Sequence, residues 1–190
     1  MQIGLYFGSF NPIHTGHLII ANHLLNSTDL EKVWIIISPQ NPFKTNSVLL
    51  NEYDRLHLVR IAIEDDSRMK ASDVEFHLPR PSFTVNTLIY LEEKYPEHKF
   101  SIIMGSDSFS NLHKWKNYEV IIKNYPIYVY KRPGFEVKNE ILAKIEIVDA
   151  PLLQISATEI RQLVKNGKSI RYLVPQKVNE EIVRNRYYKK

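Results

Sequence analysis

The chain reads as an α/β protein built on an open, mostly parallel sheet, and three observations point there. The runs at 3–7 and 33–38 are apolar almost without interruption, as strands are when both faces of a sheet are covered. Segments of helical spacing follow them, which is what parallel pairing needs to carry the chain back across the sheet. Glycine-bearing turns close two of the strands, at 8–16 and 105–109, where open α/β sheets bind their ligands.

A length of 190 residues suits one domain, 1–190, with a sizeable core; 44% hydrophobic and 24% charged residues are ordinary for a globular chain. No apolar run approaches the length of a membrane span, and the first residues lack the pattern of a signal peptide, so no membrane is expected. With no cysteine there are no disulfides and no thiolate metal sites, which fits a cytoplasmic location. A homo-oligomer is compatible with this composition.

The first strand ends in Gly8-Ser9-Phe10-Asn11-Pro12-Ile13-His14-Thr15-Gly16-His17. Leu18, Ala21, Leu24 and Leu25 then recur at helical spacing, so the turn delivers the chain to a helix N-terminus with unpaired N–H groups and a partial positive charge. Gly8 and Gly16 let backbone come close to a ligand, and Pro12 stiffens the loop. His14 and His17 stand at the same end, placed to donate hydrogen bonds to phosphate oxygens as charge builds in a transition state.

A second strand at 33–38 leads into a loop rich in Pro and Asn at 39–47 that carries Lys44 on the ligand side of the sheet. A helix is expected over 51–66, with Leu56, Val59, Ile61 and Ile63 on its buried side, then a short strand near 69–76. Pro79 and Pro81 make a rigid turn, and Ser82 is placed to cap a helix running to Tyr95. Phe83 and Thr84 fall in its first turn, where Phe83 serves either as core or as a wall for a flat ring. A fourth strand at 99–104 delivers Asp107, a carboxylate that suits ribose hydroxyls, magnesium or a helix cap. Trp115 stands in a polar stretch with no apolar periodicity around it, which marks it for stacking; Trp34, inside a strand, reads as core.

Strands at 127–130 and 145–148 complete the sheet. Ser156 followed by Glu159 is a capping box that opens another helix with its donors exposed, Thr158 in the first turn and Arg161 one turn on. Gly167 closes it, and a basic helix runs from about 175 to 187. Residues 161–190 carry nine Lys or Arg against Glu180 and Glu181, so the net charge of +4 belongs to the basic helical segment at about 156–190. A solvated face is the favoured reading of that excess, ahead of a polyphosphate-holding surface and of non-specific nucleic-acid affinity.

Together, His14-Thr15-Gly16-His17 and Ile155-Ser156-Ala157-Thr158-Glu159-Ile160-Arg161 resemble the HxGH and ISxTxxR signatures of the nucleotidyltransferase superfamily. The first turn, the SFTVNTL segment at 82–88, MGSDSF at 104–109 with the tryptophan after it, and KRPG at 131–134 look most like bacterial nicotinate-nucleotide adenylyltransferases. The resemblance spans nearly the whole chain. It implies a Rossmann-like fold with helices on both faces and transfer of AMP from ATP to nicotinate mononucleotide, giving deamido-NAD and pyrophosphate in NAD biosynthesis. Carried over by position, His14 and His17 would be catalytic, and with Gly8, Ser9, Phe10, Gly16, Ser156, Thr158 and Arg161 they would bind ATP. Lys44, Phe83, Thr84, Asp107 and Trp115 would serve the acceptor, and Asp107 would help to hold Mg2+, which comes mainly through the ATP phosphates. The partners so implied are ATP and nicotinate mononucleotide, with no nucleic acid.

The chain departs from the family pattern at Asn11 and Asn86, where Asp is common, at Ala157, where a second Ser is common, and at Phe83, where Tyr is common. These bear on the acceptor more than on the reaction type. Preference for NMN or another phosphorylated acceptor is the nearest alternative, and a non-catalytic nucleotide- or RNA-binding module a more distant one. A transition-metal site at the two histidines lacks a third ligand nearby in sequence.

Overall fold

A computed structural model describes residues 1–39, 49–151 and 153–189. Six strands, β1 (Gln2–Gly8), β2 (Lys32–Ile37), β3 (Met69–Ser72), β4 (Lys99–Gly105), β5 (Ile127–Tyr130) and β6 (Ile145–Val148), form one sheet in the order β3-β2-β1-β4-β5-β6. Every pairing is parallel. This is the doubly wound order, and its direction reverses between β1 and β4, so the carboxyl ends of those two strands flank the crevice where such folds bind nucleotides.

The uninterrupted apolar runs follow from burial on both faces. Val33, Ile35 and Ile37 of β2 pack with helices α1 (Thr15–Ser27), α2 (Glu52–Ile63), α6 (Ala157–Lys165) and α7 (Gln176–Arg184). Trp34 and Ile36 of the same strand face α3 (Thr84–Lys94) and α5 (Tyr118–Asn124). A short helix α4 (Ser106–Phe109) continues directly from β4.

Several expectations are corrected in detail. The strand near 69–76 stops at Ser72, because the amide of Phe76 bonds back to the carbonyl of Asp73 (2.9 Å) and 74–77 winds into a 3-10 turn. The second helix ends at Ile63, and Leu58 and Arg55 take buried places while Ile61 is half-buried. Ser82 does not cap α3: its hydroxyl donates to buried Glu75 (3.0 Å), and Phe83 takes the cap position. A buried carboxylate needs that donor more than a helix end open to solvent does. At α6 only half the capping box forms, the Ser156 hydroxyl accepting from the amide of Glu159 (3.1 Å). The short α5 lay outside the sequence reading, since Ile121 alone supplies its buried side.

Part of the basic excess near the C-terminus is neutralised locally. Lys177 of α7 pairs with Glu64 and Asp65 at the end of α2, and Arg184 with Glu181. No helix among the described residues is long and apolar enough to cross a membrane.

Candidate active site

The turn after β1 is shaped by rings packed against its glycines. Phe10 has φ 44°, a left-handed backbone that a bulky residue rarely adopts, and its buried ring folds back over Gly8. A β-carbon on Gly8 would lie 3.0 Å from that ring, and one on Gly16 would lie 3.1 Å from Nδ1 of His14. A side chain at either position would press on these rings, so glycine gives the turn its close packing. The imidazoles of His14 and His17 stack with centroids 3.6 Å apart, and the edges of Phe10 and Tyr6 close around His17.

Two imidazoles this close are costly to protonate together. Burial decides which stays neutral: it lowers the His14 pKa to about 4, with a smaller push from the Arg132 guanidinium. His14 is thus a neutral, single-donor imidazole at neutral pH. The His14 amide donates to Nδ1 of His17 (3.3 Å), which fixes the His17 ring at the head of α1.

The second motif docks onto this turn. Arg161, on α6, donates to the carbonyl of Asn11 (2.8 Å) and to the Thr158 hydroxyl (3.2 Å). Those two bonds leave further guanidinium N–H groups for an anion. Asn11 is itself a junction, its side-chain oxygen accepting from the Leu50 amide (3.2 Å) and the Tyr188 hydroxyl (2.9 Å). Ser156 and Thr158, at the N-terminal end of α6, are exposed. Residues 150 positions apart thereby share one surface.

Sequence reasoning missed two arginines here. Fully buried Arg55 donates to the carbonyls of Leu50 (2.9 Å), Ser9 (2.6 Å), Ser38 (2.8 Å) and Pro39 (3.1 Å), tying the turn after β1 to the loop after β2. The signal was legible, since position 55 shares a helical stripe with Leu58, Val59 and Ile63. Arg132, in the segment that begins with Lys131, donates to the Tyr130 hydroxyl (3.1 Å) and pairs with Asp107 (3.3 Å). Gly105 makes space for that pair, as a β-carbon there would meet Asp107 at 2.4 Å and Arg132 at 2.9 Å.

Beside the two turns opens a pocket of about 160 Å³, a size that admits a single six-membered ring. Phe83, Thr84 and Trp115 line it together with Glu75, Lys116 and, at the end of β1, Gly8. Burial raises the Glu75 pKa against the hydroxyl donors Ser82, Ser38 and Thr87 that hold its carboxylate. Three expected acceptor residues thus meet in one cavity. Asp107 is not among its lining residues, and Lys44 lies outside the described residues. The phosphate-binding candidates His14, His17, Ser156, Thr158 and Arg161 lie beyond the pocket, with Gly8 common to the turn and the cavity. Among the described residues no three His, Asp or Glu side chains gather as a metal site.

Residues 5–163 match the model of the cytidylyltransferase-like family. A Flavobacterium johnsoniae protein named "probable nicotinate-nucleotide adenylyltransferase" is 53% identical over 193 residues, covering 100% of both chains. One of the same name from Cytophaga hutchinsonii is 52% identical, covering 99% of this chain and 98% of its own. Among solved structures, Plasmodium falciparum nicotinic acid mononucleotide adenylyltransferase complexed with NaAD superposes with a TM-score of 0.83 over 98% of this chain and 97% of its own. At 22% identity that likeness shows the fold.

Proposed function

Because the chain belongs to the nicotinate-nucleotide adenylyltransferase family, within the cytidylyltransferase-like proteins, we propose that its two motifs close on the triphosphate of ATP while the neighbouring pocket holds the acceptor. The enzyme transfers AMP from ATP to nicotinate mononucleotide, forming deamido-NAD and pyrophosphate. The observation that supports this division of labour is the Arg161 bond to Asn11, which brings the two signatures onto one surface beside the Phe83 and Trp115 pocket. Residues 1–190 act as one cytoplasmic nucleotidyltransferase domain.

In the reaction an oxygen of the acceptor's 5′-phosphate bonds to the α-phosphorus of ATP as the bond from that phosphorus to the bridging oxygen breaks, and pyrophosphate leaves with the electron pair. The nucleophile is already anionic, so no strong base is needed. The difficulty is bringing two anions together and spreading the charge that develops, which is work for fixed donors. His17, neutral His14 and the free N–H groups of Arg161 supply these donors, with the hydroxyls of Ser156 and Thr158. Ser9, Phe10 and the two glycines hold the backbone of the turn close to the phosphates. Lys44 is a further phosphate contact on the acceptor side.

The fit to Mg2+ is decided by Asp107, whose pairing with Arg132 through Oδ1 leaves the other carboxylate oxygen for a cation. One protein carboxylate suits an ion that otherwise keeps water and substrate phosphates as ligands. When bound, Mg2+ neutralises charge on the ATP phosphates. On this reading Asp107, outside the lining of the acceptor pocket, serves the acceptor ribose or the magnesium ion, with Arg132 paired beside it.

Pyrophosphate release with ATP and magnesium tests the assignment, comparing nicotinate mononucleotide with NMN. Release with the acid acceptor is expected, and its absence with both would sink the reading. In the same assay Trp115→Ala should raise the acceptor KM roughly tenfold through loss of ring stacking. An unchanged acceptor KM would remove Trp115 from the pocket's function.

A further inference from the structure

The ammonium of Lys116 lies 4.4 Å from the centroid of the Phe83 ring and lines the acceptor pocket with Trp115 and Thr84. Among the described residues no carboxylate pairs with it. Its only charge contact there is the face of an aromatic ring, a weak partner at an exposed site. That same ring face is what a flat acceptor needs for stacking. A pyridine ring that stacks on that face of Phe83 therefore has to displace the lysine.

We propose that Lys116 makes this pocket prefer an acceptor whose ring carries a carboxylate over one that carries a carboxamide. A ring carboxylate gives the displaced ammonium a full negative charge in exchange for the π face, while a carboxamide offers only a dipole. The exchange is favourable with the acid and close to neutral or unfavourable with the amide. Among the described residues the one carboxylate lining the pocket is Glu75, and it forms no ion pair with Lys116. It is buried and held by the hydroxyls of Ser82 and Thr87, each at 3.0 Å. The inference rests on the acceptor assignment above and adds the residue that sets acid against amide.

The experiment measures kcat/KM for nicotinate mononucleotide and for NMN in the wild type, Lys116→Met and Lys116→Arg. Lys116→Met keeps an apolar stem over Phe83 and removes the charge. The acid-to-amide ratio should fall about five- to tenfold in Lys116→Met, through the KM of the acid acceptor, and Lys116→Arg should retain most of it. Added salt should lower the wild-type ratio in the same direction. An unchanged ratio in Lys116→Met, or an equal loss for both acceptors, would overturn the role of Lys116 while leaving the assignment of the pocket intact. A wild type that turns over neither acceptor would overturn that assignment and this inference together.

Discussion

His17→Ala should lower kcat by roughly 10²–10³ while costing no more than about 1 kcal/mol of folding stability. The ring stands at the head of α1, held by the His14 amide and wedged against Phe10. It can therefore meet charge on the transferred phosphate without reorganising, and prepaid orientation is what makes such donors effective. Its truncation leaves Gly8, Gly16 and the Asn11 junction untouched, so the KM for ATP should change less than kcat. Steady-state kinetics beside a urea titration separate the two effects. Near-normal turnover in a folded His17→Ala variant would remove His17 from the mechanism.

Arg55→Met should destabilise the protein by roughly 3–5 kcal/mol, because it leaves the carbonyls of Leu50, Ser9, Ser38 and Pro39 to compete for donors in a closed space. Methionine fills much of the volume, so the loss reports the hydrogen bonds rather than a cavity. The urea midpoint should fall with little change in its slope. Activity should fall as well, since Ser9 belongs to the turn proposed to hold ATP and Pro39 begins the segment that carries Lys44. A loss below about 1 kcal/mol would mean that solvent reaches these carbonyls and that Arg55 does not brace the turn.

The sheet was legible because its inner strands β1, β2, β4 and β5 are largely apolar on both faces, while the short β3 and β6 are not. The two motifs stood out in the sequence, the first by its glycines and histidines at fixed spacing and the second by hydroxyls and an arginine at a helix start, and the structure joins them through Arg161 and the Asn11 carbonyl. Arg55 was legible only in part: its place on the buried stripe of its helix could be read, but a charged residue there is taken as solvent-facing until its partners are seen to be backbone carbonyls of the turn after β1 and of the connection from β2 to α2. Ser82 misled for a related reason: a hydroxyl before a helix is a good cap, yet a buried carboxylate 3.0 Å away claims it. Asn11 illustrates what a departure from the family pattern leaves intact. Its amide oxygen accepts from Leu50 and Tyr188 as a carboxylate oxygen would, and its carbonyl, independent of side chain, receives Arg161. The choice between acid and amide acceptors had no sequence signal, since Lys116 in a polar stretch looks like any solvated lysine. It gains meaning only from the Phe83 ring beneath it.

The account depends on the two signatures gripping one triphosphate while the pocket serves a separate ligand. Calorimetric titration of Arg161→Met, first with a magnesium complex of an ATP analogue that cannot be cleaved at its α–β bridge and then with nicotinate mononucleotide, tests this most directly. Losing a charged donor to phosphate should weaken the analogue about tenfold or more, and binding of nicotinate mononucleotide should stay within about twofold of wild type, as expected for a site with separate contacts. Analogue binding equal to wild type, or an equal loss for both ligands, would contradict it.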